Sequence, residues 1–501
     1  MQPLLTRAQA REVDRVAVDE FGVESLVLME NAGRGATDAI LARFGDRLGH
    51  VILVGGPGQN GGDAWVVARR LRLLGHSPLA VLVGDASRLR GDAAPNWELL
   101  QKLSVETTMI RPDQGAELGT LLESATLVVD GLFGTGLDRP IEGGYAAAVQ
   151  AMDEATAPVV SLDLPSGLDA NTGAVLGVAP RAALTVTFAG LKRGLHQYPG
   201  VEHAGEVQVA DIGIPATRLP EASVYQARDL GSLIAPRRGD AHKGTNGHVL
   251  VVGGSPGKTG AALLAGGAAF RSGAGLVTIG TRADARAALE EKVVELMTTE
   301  LVDVPTQSAV EALCEGKSTA VLGPGLGLDA LGAAWADAFS RYAPVPVVID
   351  ADAITHLGSD FDVLTEAPAP RILTPHPGEA ARLLGSSTGQ VQSDRYAAAE
   401  EVASRSGQTI ILKGARSVVA SAGRLAVCGE GTPALGVAGT GDVLSGVTAT
   451  LAVTLGPFEA AIGATLLHAL AGLEATVGDR GLLASEVADA VPTVLARFVG
   501  R

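Results

Sequence analysis

The sequence predicts an α/β protein made of two successive parallel sheets flanked by helices, and three observations carry that prediction. Short apolar, β-branched runs alternate with helix-length segments, the alternation restarts past residues 220–228, and glycine-rich turns follow several of the runs. At 501 residues the chain exceeds the ~250–300 at which a single core stops growing, which excludes one small module. A hydrophobic fraction of 47 % supports substantial cores and separates the chain from disordered sequences.

Taken in order, Thr6 followed by Gln9 reads as a capping box for a helix to about Glu20, and a second helical stretch runs from about Glu24 to Phe44. The runs HVILVGG (50–56), PLAVLVG (78–84), ATLVVDG (125–131) and PVVSLDL (158–164) read as strands of a first parallel sheet. Pro215, Pro220 and neighbouring polar residues then punctuate the chain. Beyond 227–244, the runs HVLVVGG (248–254), TAVLGPG (319–325), PVVIDAD (346–352) and TIILKGA (409–415) start a second sheet. The expected domains are 1–220 and 228–501.

Charge and composition narrow the function. Against 39 basic residues stand 55 acidic ones, and the net charge of −16 repels polyanions, so nucleic acid is not an expected partner while a small anionic ligand is. Aromatic residues at 3 % do not suit stacked-base recognition. Cys314 and Cys428 are too few for a disulfide framework or a zinc cluster and read as buried thiols in a reducing compartment. The start MQPLLTRAQAREVDR lacks a signal-peptide pattern, and every long apolar stretch is broken by Gly, Pro or a charge; a cytoplasmic protein with no membrane partner is expected.

In the first half, Gly56, Gly58 and Gly61 match G-x-G-x-x-G after a strand, with a helix expected to start near Asp63. Glycines there allow positive φ and close backbone approach, and a helix amino terminus attracts phosphate. Asp85, after the next strand, stands near where a dehydrogenase holds ribose, so that reading stays open. Asn60, Asp130 and Ser166 are read in loops just after strands, where three oxygen ligands for a monovalent cation would converge. By themselves the three are more simply read as bonding their own turns.

In the second half, GGSPGKTG (253–260) is not a P-loop, because Val252 occupies the position of the first glycine. AGTGDVLSGVTATL (438–451) places Gly439, Gly441 and Asp442 before an apolar helical stretch. Such a turn offers an anion hole for a phosphoryl group with Asp442 as base, or equally a helix cap. Lys413, Gly414, Ala415, Arg416 and Ser417 follow a strand and suit a nucleotide phosphate, and TPHPGE (374–379) fixes His376 between two prolines.

Two resemblances then become specific. LMENAG (28–33), NGGD (60–63), VVDGLFGTGLDRP (128–140), SLDLPSGLDANTG (161–173) and TFAGLKRG (187–194) make most of residues 1–215 resemble the NAD(P)H-hydrate epimerase family. The resemblance implies a Rossmann-like three-layer domain and potassium (K+) at Asn60, Asp130 and Ser166. It also implies substrate contacts at Gln59, Asn60, Gly61, Gly62, Asp63, Gly134, Thr135, Gly136, Leu137, Asp138, Arg139, Pro140 and Asp163. Gln59 stands where the family often has Asn. A carboxylate at Asp163 would stabilise the cation left when water departs from the hydrated ring and shuttle the proton, or else cap the Pro165–Gly167 turn. Lys192 is read as balancing phosphate charge or lying in solvent.

AHKGTNGHVLVVGGS (241–255), GPGLG (323–327), DADAI (350–354), TPHPGE, LKGARS (412–417) and GTGD (439–442) make residues 228–501 resemble the ADP-dependent NAD(P)H-hydrate dehydratase family. That implies a ribokinase-like α/β domain, substrate contacts at Ala262, Gly327, His376 and Asp442, and a nucleotide near Lys413 to Ser417 and Gly441. Mg2+ is expected on the nucleotide phosphates, with Asp350 and Glu379 as candidate ligands. The expectation is a bifunctional repair enzyme, an isomerase and a lyase in one chain. It acts on hydrated NADH and NADPH with ADP as phosphoryl donor, and a homo-oligomer is expected. The alternative is a ribokinase-like small-alcohol kinase fused to a nucleotide-binding module.

Overall fold

Runs dominated by apolar and β-branched residues become central strands, because a strand covered by helices on both faces has no solvated side. In the first unit Val51–Gly55, Leu79–Val83, Leu127–Gly131 and Leu184–Phe188 are buried throughout. The computed structural model describes residues 2–215 and 219–499, in two compact units, Gln2–Ala222 and Ser223–Arg501. Residues 1, 216–218 and 500–501 of the expected domains lie outside the described residues.

Counted along the chain, the seven strands of the first unit's main sheet lie in the order 3-2-1-4-5-6-7, and all neighbours are parallel. This is the Rossmann arrangement extended by one strand. Leu53 and Val129 face one apolar core with Ile40 and Trp65, while Ile52, Val54 and Val128 face another with Val149 and Met152, which makes three layers. The order reverses between Val51–Gly55 and Leu127–Gly131, and crevices at such a reversal bind ligands at the carboxyl ends of the strands. Thr6 caps the helix Arg7–Asp19 through the expected box with Gln9, and the short strand Gln2–Leu5 pairs with Leu191–Lys192.

The second unit repeats the scheme around His248–Val252, with Leu276–Thr281 on one side and Thr319–Leu322 on the other, all parallel. Val347–Ile349, Arg371–Leu373 and Thr409–Leu412 continue the parallel series, and Val418–Ser421 and Arg424–Cys428 close it as an antiparallel hairpin. The helices Thr259–Ser272, Thr440–Leu451 and Pro457–Ala475 bury alanine-rich faces in one core. Pro457–Ala475 is long and apolar enough to cross a bilayer, and 78 % of it is buried within the unit, as in a core helix.

Candidate functional site

A cavity of about 940 Å3 opens at the carboxyl ends of the first unit's strands. The helix beneath it starts at Gln59 with Gly58 as cap, not near Asp63 as expected, so Gln59–Gly62 form its first turn. The reason is contact: a Cβ at Gly61 would lie 2.0 Å from the Gly56 carbonyl oxygen, and one at Gly62 would lie 2.5 Å from Met29 Cε. None of Gly56, Gly58 and Gly61 has positive φ; close approach requires glycine at positions 56 and 61, while nothing lies within 4 Å of where a Cβ on Gly58 would sit. Gln59, Asn60, Asp63 and the segment 134–139 line the cavity, whereas Gly61 and Gly62 are buried and Pro140 is exposed outside the lining. Asp85 caps a 3-10 turn by accepting from Ser87 N at 2.9 Å and lies outside the lining, so it has no ribose to hold there.

Asn60 lies in that helix and Asp130 lies within its strand; only Ser166 is in a loop, contrary to the expectation of three loop positions. Asp130 is wholly buried and accepts from Ser161 Oγ at 2.9 Å, Ser166 N at 2.8 Å and Ser166 Oγ at 2.5 Å. Burial still pushes its carboxyl above the ordinary value against those hydrogen bonds. Both polar atoms of the Asn60 side chain are buried without a partner. The Gly134 and Gly131 backbones pack against Asn60, where Cβ atoms would come within 3.2 Å of Asn60 Cγ and 2.9 Å of its carbonyl oxygen. A buried polar amide without a partner is costly in a folded protein, which marks Asn60 for a ligand rather than for packing.

Asp163 stands at φ +66 on the cavity wall. Its Oδ2 accepts from Thr135 N at 2.9 Å and from the Thr135 hydroxyl, and its Oδ1 lies 2.6 Å from Lys192 Nζ. Burial works to raise this carboxyl, but Lys192 and Thr135 outweigh it and hold it below the ordinary aspartate value. Lys192, expected at phosphate or in solvent, is instead 2 % exposed, and its ammonium also donates to Thr187 Oγ1 at 2.9 Å and Phe188 O at 2.7 Å. Asp63 is buried nearby, and burial, Asp163 and Asp14 hold its carboxyl well above the ordinary value. Asp14, which belongs to no motif in the sequence, also lines the cavity.

In the second unit Gly439 caps the helix Thr440–Leu451 at φ +95, where a side chain would be strained and would strike Leu264. Asp442, in the first turn, is pushed up to about 7 by burial and by Asp350, with Lys413 opposing. Lys413 does not pair with Asp442 directly. Its Nζ lies 2.7 Å from Asp350 Oδ1 and 3.9 Å from Glu379 Oε2. Gly441 is pressed against that ammonium, and a Cβ there would sit 3.3 Å from Nζ. Thus Lys413, Asp350, Glu379, Gly441 and Asp442 form one cluster.

His376 caps the helix Pro377–Leu384, its Nδ1 accepting from Gly378 N at 3.0 Å and Glu379 N at 3.3 Å. This assigns the ring proton to Nε2, which lies 3.6 Å from Glu379 Oε1, in a side chain that is 54 % exposed. Gly327, at φ +98, is held by Asp352 on its N–H at 2.9 Å and by His356 on its carbonyl at 2.8 Å. Gly414 and Ala415 are exposed beside Lys413, Ser417 Oγ donates to Gly414 O at 3.0 Å, and Arg416 donates to the Gly429 carbonyl. Arg395, unmarked in the sequence, fixes this loop through the carbonyls of Leu412 at 3.2 Å and Lys413 at 3.3 Å.

Two expectations are corrected. Ala262 is 0 % exposed inside the apolar core and leaves no surface for substrate, because the helix Thr259–Ser272 turns that alanine inward. Asp350 has its oxygens committed to Lys413 and to Ser445 Oγ at 2.5 Å, and Glu379 accepts from His376 N at 2.7 Å. Both carboxylates are thus engaged with protein partners rather than turned to an open metal position.

Residues 249–493 match the NAD(P)H-hydrate dehydratase family model, and residues 25–194 match the model of YjeF-related protein N-termini. A bifunctional NAD(P)H-hydrate repair enzyme of Moorella thermoacetica is 38 % identical over 98 % of this chain and 96 % of its own. The chain belongs to the bifunctional NAD(P)H-hydrate repair enzyme family. The Escherichia coli member is 33 % identical over 95 % of this chain and 91 % of its own. A crystal structure of an ADP/ATP-dependent NAD(P)H-hydrate dehydratase from Bacillus subtilis is similar over 55 % of this chain and 99 % of its own. Its identity is 30 % and its TM-score 0.49.

Proposed function

We propose that this chain repairs hydrated NADH and NADPH. The first domain, 1–220, interconverts the R and S hydrates, and the second, 228–501, uses ADP to dehydrate the S form. The observation that carries the reading is Asp442 in the first turn of a glycine-capped helix, held near neutrality beside Lys413.

In the second domain, amides at the start of the helix Thr440–Leu451 stabilise the phosphoryl group in transit. Lys413 and the loop to Ser417 hold the nucleotide phosphates. Asp442 takes the proton of the hydrate hydroxyl as that oxygen attacks phosphorus, and the C–O bond then breaks with phosphate as leaving group while the ring nitrogen donates its lone pair. A proton lost from the neighbouring carbon restores the reduced ring. The half-exposed ring of His376 and the backbone of Gly327 orient the substrate. Mg2+ would enter on the nucleotide and neutralise phosphate charge.

In the first domain, loss of water from the hydrated ring leaves a flat cation, and water returns to either face. Asp163, kept ionised by Lys192 and Thr135, stabilises that cation. Residues 59–63 and 134–139 hold the substrate around it. Asn60, Asp130 and Ser166 would hold K+, which supplies positive charge to substrate phosphates; the orphaned Asn60 amide and the buried Asp130 fit a cation there.

Separated R and S hydrates of NADH, assayed with ADP or ATP in potassium or sodium buffer, test both halves. The reading requires that S is converted to NADH with ADP and that R is converted through S. Accumulation of a stable phosphorylated alcohol overturns the dehydratase half, and an R hydrate that never reacts overturns the epimerase half.

A further inference from the structure

The family match on the first unit begins at residue 25, yet residues before it build one wall of the first cavity. The strand Gln2–Leu5 pairs Leu5 with Lys192, the residue that clamps Asp163. Arg7 then latches the helix Arg7–Asp19 to the segment that carries Thr135. Its Nε donates to Thr135 O at 3.1 Å, and its Nη2 donates to Leu137 O at 2.5 Å and Asp169 Oδ2 at 2.6 Å. Two turns on, the same helix presents Asp14 to the cavity.

We propose that Asp14 is a catalytic acid of the first site, giving its proton to the hydroxyl that leaves the hydrated ring, a role that rests on the epimerase reading above. Three of the carboxyls that line the cavity, Asp14, Asp63 and Asp163, lie within the field of Lys192, and the choice falls among them. Asp163 is spent as an anion on Lys192 and Thr135 and has no proton to give. Asp63 is buried away from the solvent that would have to reload it in each turnover. Asp14 lies at the exposed side of the cavity, where solvent can reload it. Its carboxyl is pushed up to about 6 by burial and by Asp163, with Lys192 opposing. The other charged groups that line the same cavity are Arg11, Arg15, Asp19, Asp63, Asp92, Asp138 and Arg139.

The step balances without any outside reagent. The ring nitrogen lone pair forms C=N as the C–O bond breaks, and the departing oxygen takes the Asp14 proton and leaves as water. Water then adds to the opposite face, its proton passes to solvent, and solvent returns one to Asp14.

The test is made in the full chain with separated hydrates. Wild type should lose epimerisation rate as pH rises above about 6, because the acid must be protonated. Asp14→Asn should lower kcat for epimerisation about 100-fold or more and abolish that alkaline fall, while dehydration of the S hydrate in the same preparation stays unchanged. Asp14→Glu should keep the fall but displace it in pH, which tests the role even if the Asn variant fails to fold. A wild-type rate in Asp14→Asn, or a rate lowered equally at every pH, overturns the proposal. A wild-type chain that never interconverts the hydrates overturns the epimerase reading instead.

Discussion

Each unit sets a carboxylate beside a buried lysine, and the two lysines are spent differently. In the first, Lys192 lies 2.6 Å from Asp163 itself, and the carboxyl is held below its ordinary value. In the second, Lys413 pairs at 2.7 Å with a neighbouring carboxylate, Asp350, and Asp442 is left at about 7. A lysine given to the reactive carboxylate makes a fixed anion, suited to stabilising a positive ring. A lysine given to its neighbour leaves a group that can take a proton near neutrality.

The strongest way to break this contrast is Asp442→Asn, expected to lower dehydration by ~10²–10⁴ while epimerisation of the R hydrate is unchanged. Loss of both activities would show that the two sites are not independent. Next, Lys192→Met leaves Asp163 as an unpaired buried charge and should cost about 3–5 kcal/mol in the first unit. Urea unfolding checks this, and an unchanged midpoint would mean that the pair contributes nothing.

A smaller effect is expected from Gly61→Ala, whose new methyl would lie 2.0 Å from the Gly56 carbonyl oxygen. A loss of about 1–3 kcal/mol, read as a lowered Tm, is the cost of that overlap. The gentlest test is titration. Dehydration kcat/KM should rise with pH up to about 7 and level off above it, because Asp442 must lose its proton to act. The sign for stability is opposite. A folded-state value raised above the ordinary one stabilises at low pH and loses that contribution as pH rises through about 7, so Asp442→Asn should raise the thermal midpoint above that pH.

The central strands were legible because they are dominated by apolar, β-branched residues, as at Val51–Gly55 and His248–Val252. Glu106–Ile110, an edge strand with mixed burial, and Met297–Glu300 offered no such run and were not read. Gly61 and Gly62 read as loop because glycine is common there, whereas they form a helical first turn whose packing forbids side chains. The chemistry after the strands was visible as short motifs: NGGD, GTGD and LKGARS. What stayed hidden was partnership across the chain, such as Lys192 with Asp163 or Arg395 with the Lys413 loop. Asp14 was hidden for another reason: a single aspartate on an amphipathic helix looks like any solvated residue.

One consequence follows from the backbone at Asp163. At φ +66 it occupies a conformation that L-residues other than Asp and Asn seldom visit. Alanine scanning there would mix lost charge with conformational penalty, and a longer acid would both strain the main chain and overshoot Thr135. Only asparagine reports the carboxylate alone. The main chain therefore restricts which chemistries an evolving or redesigned version of this pocket can sample before any ligand enters it.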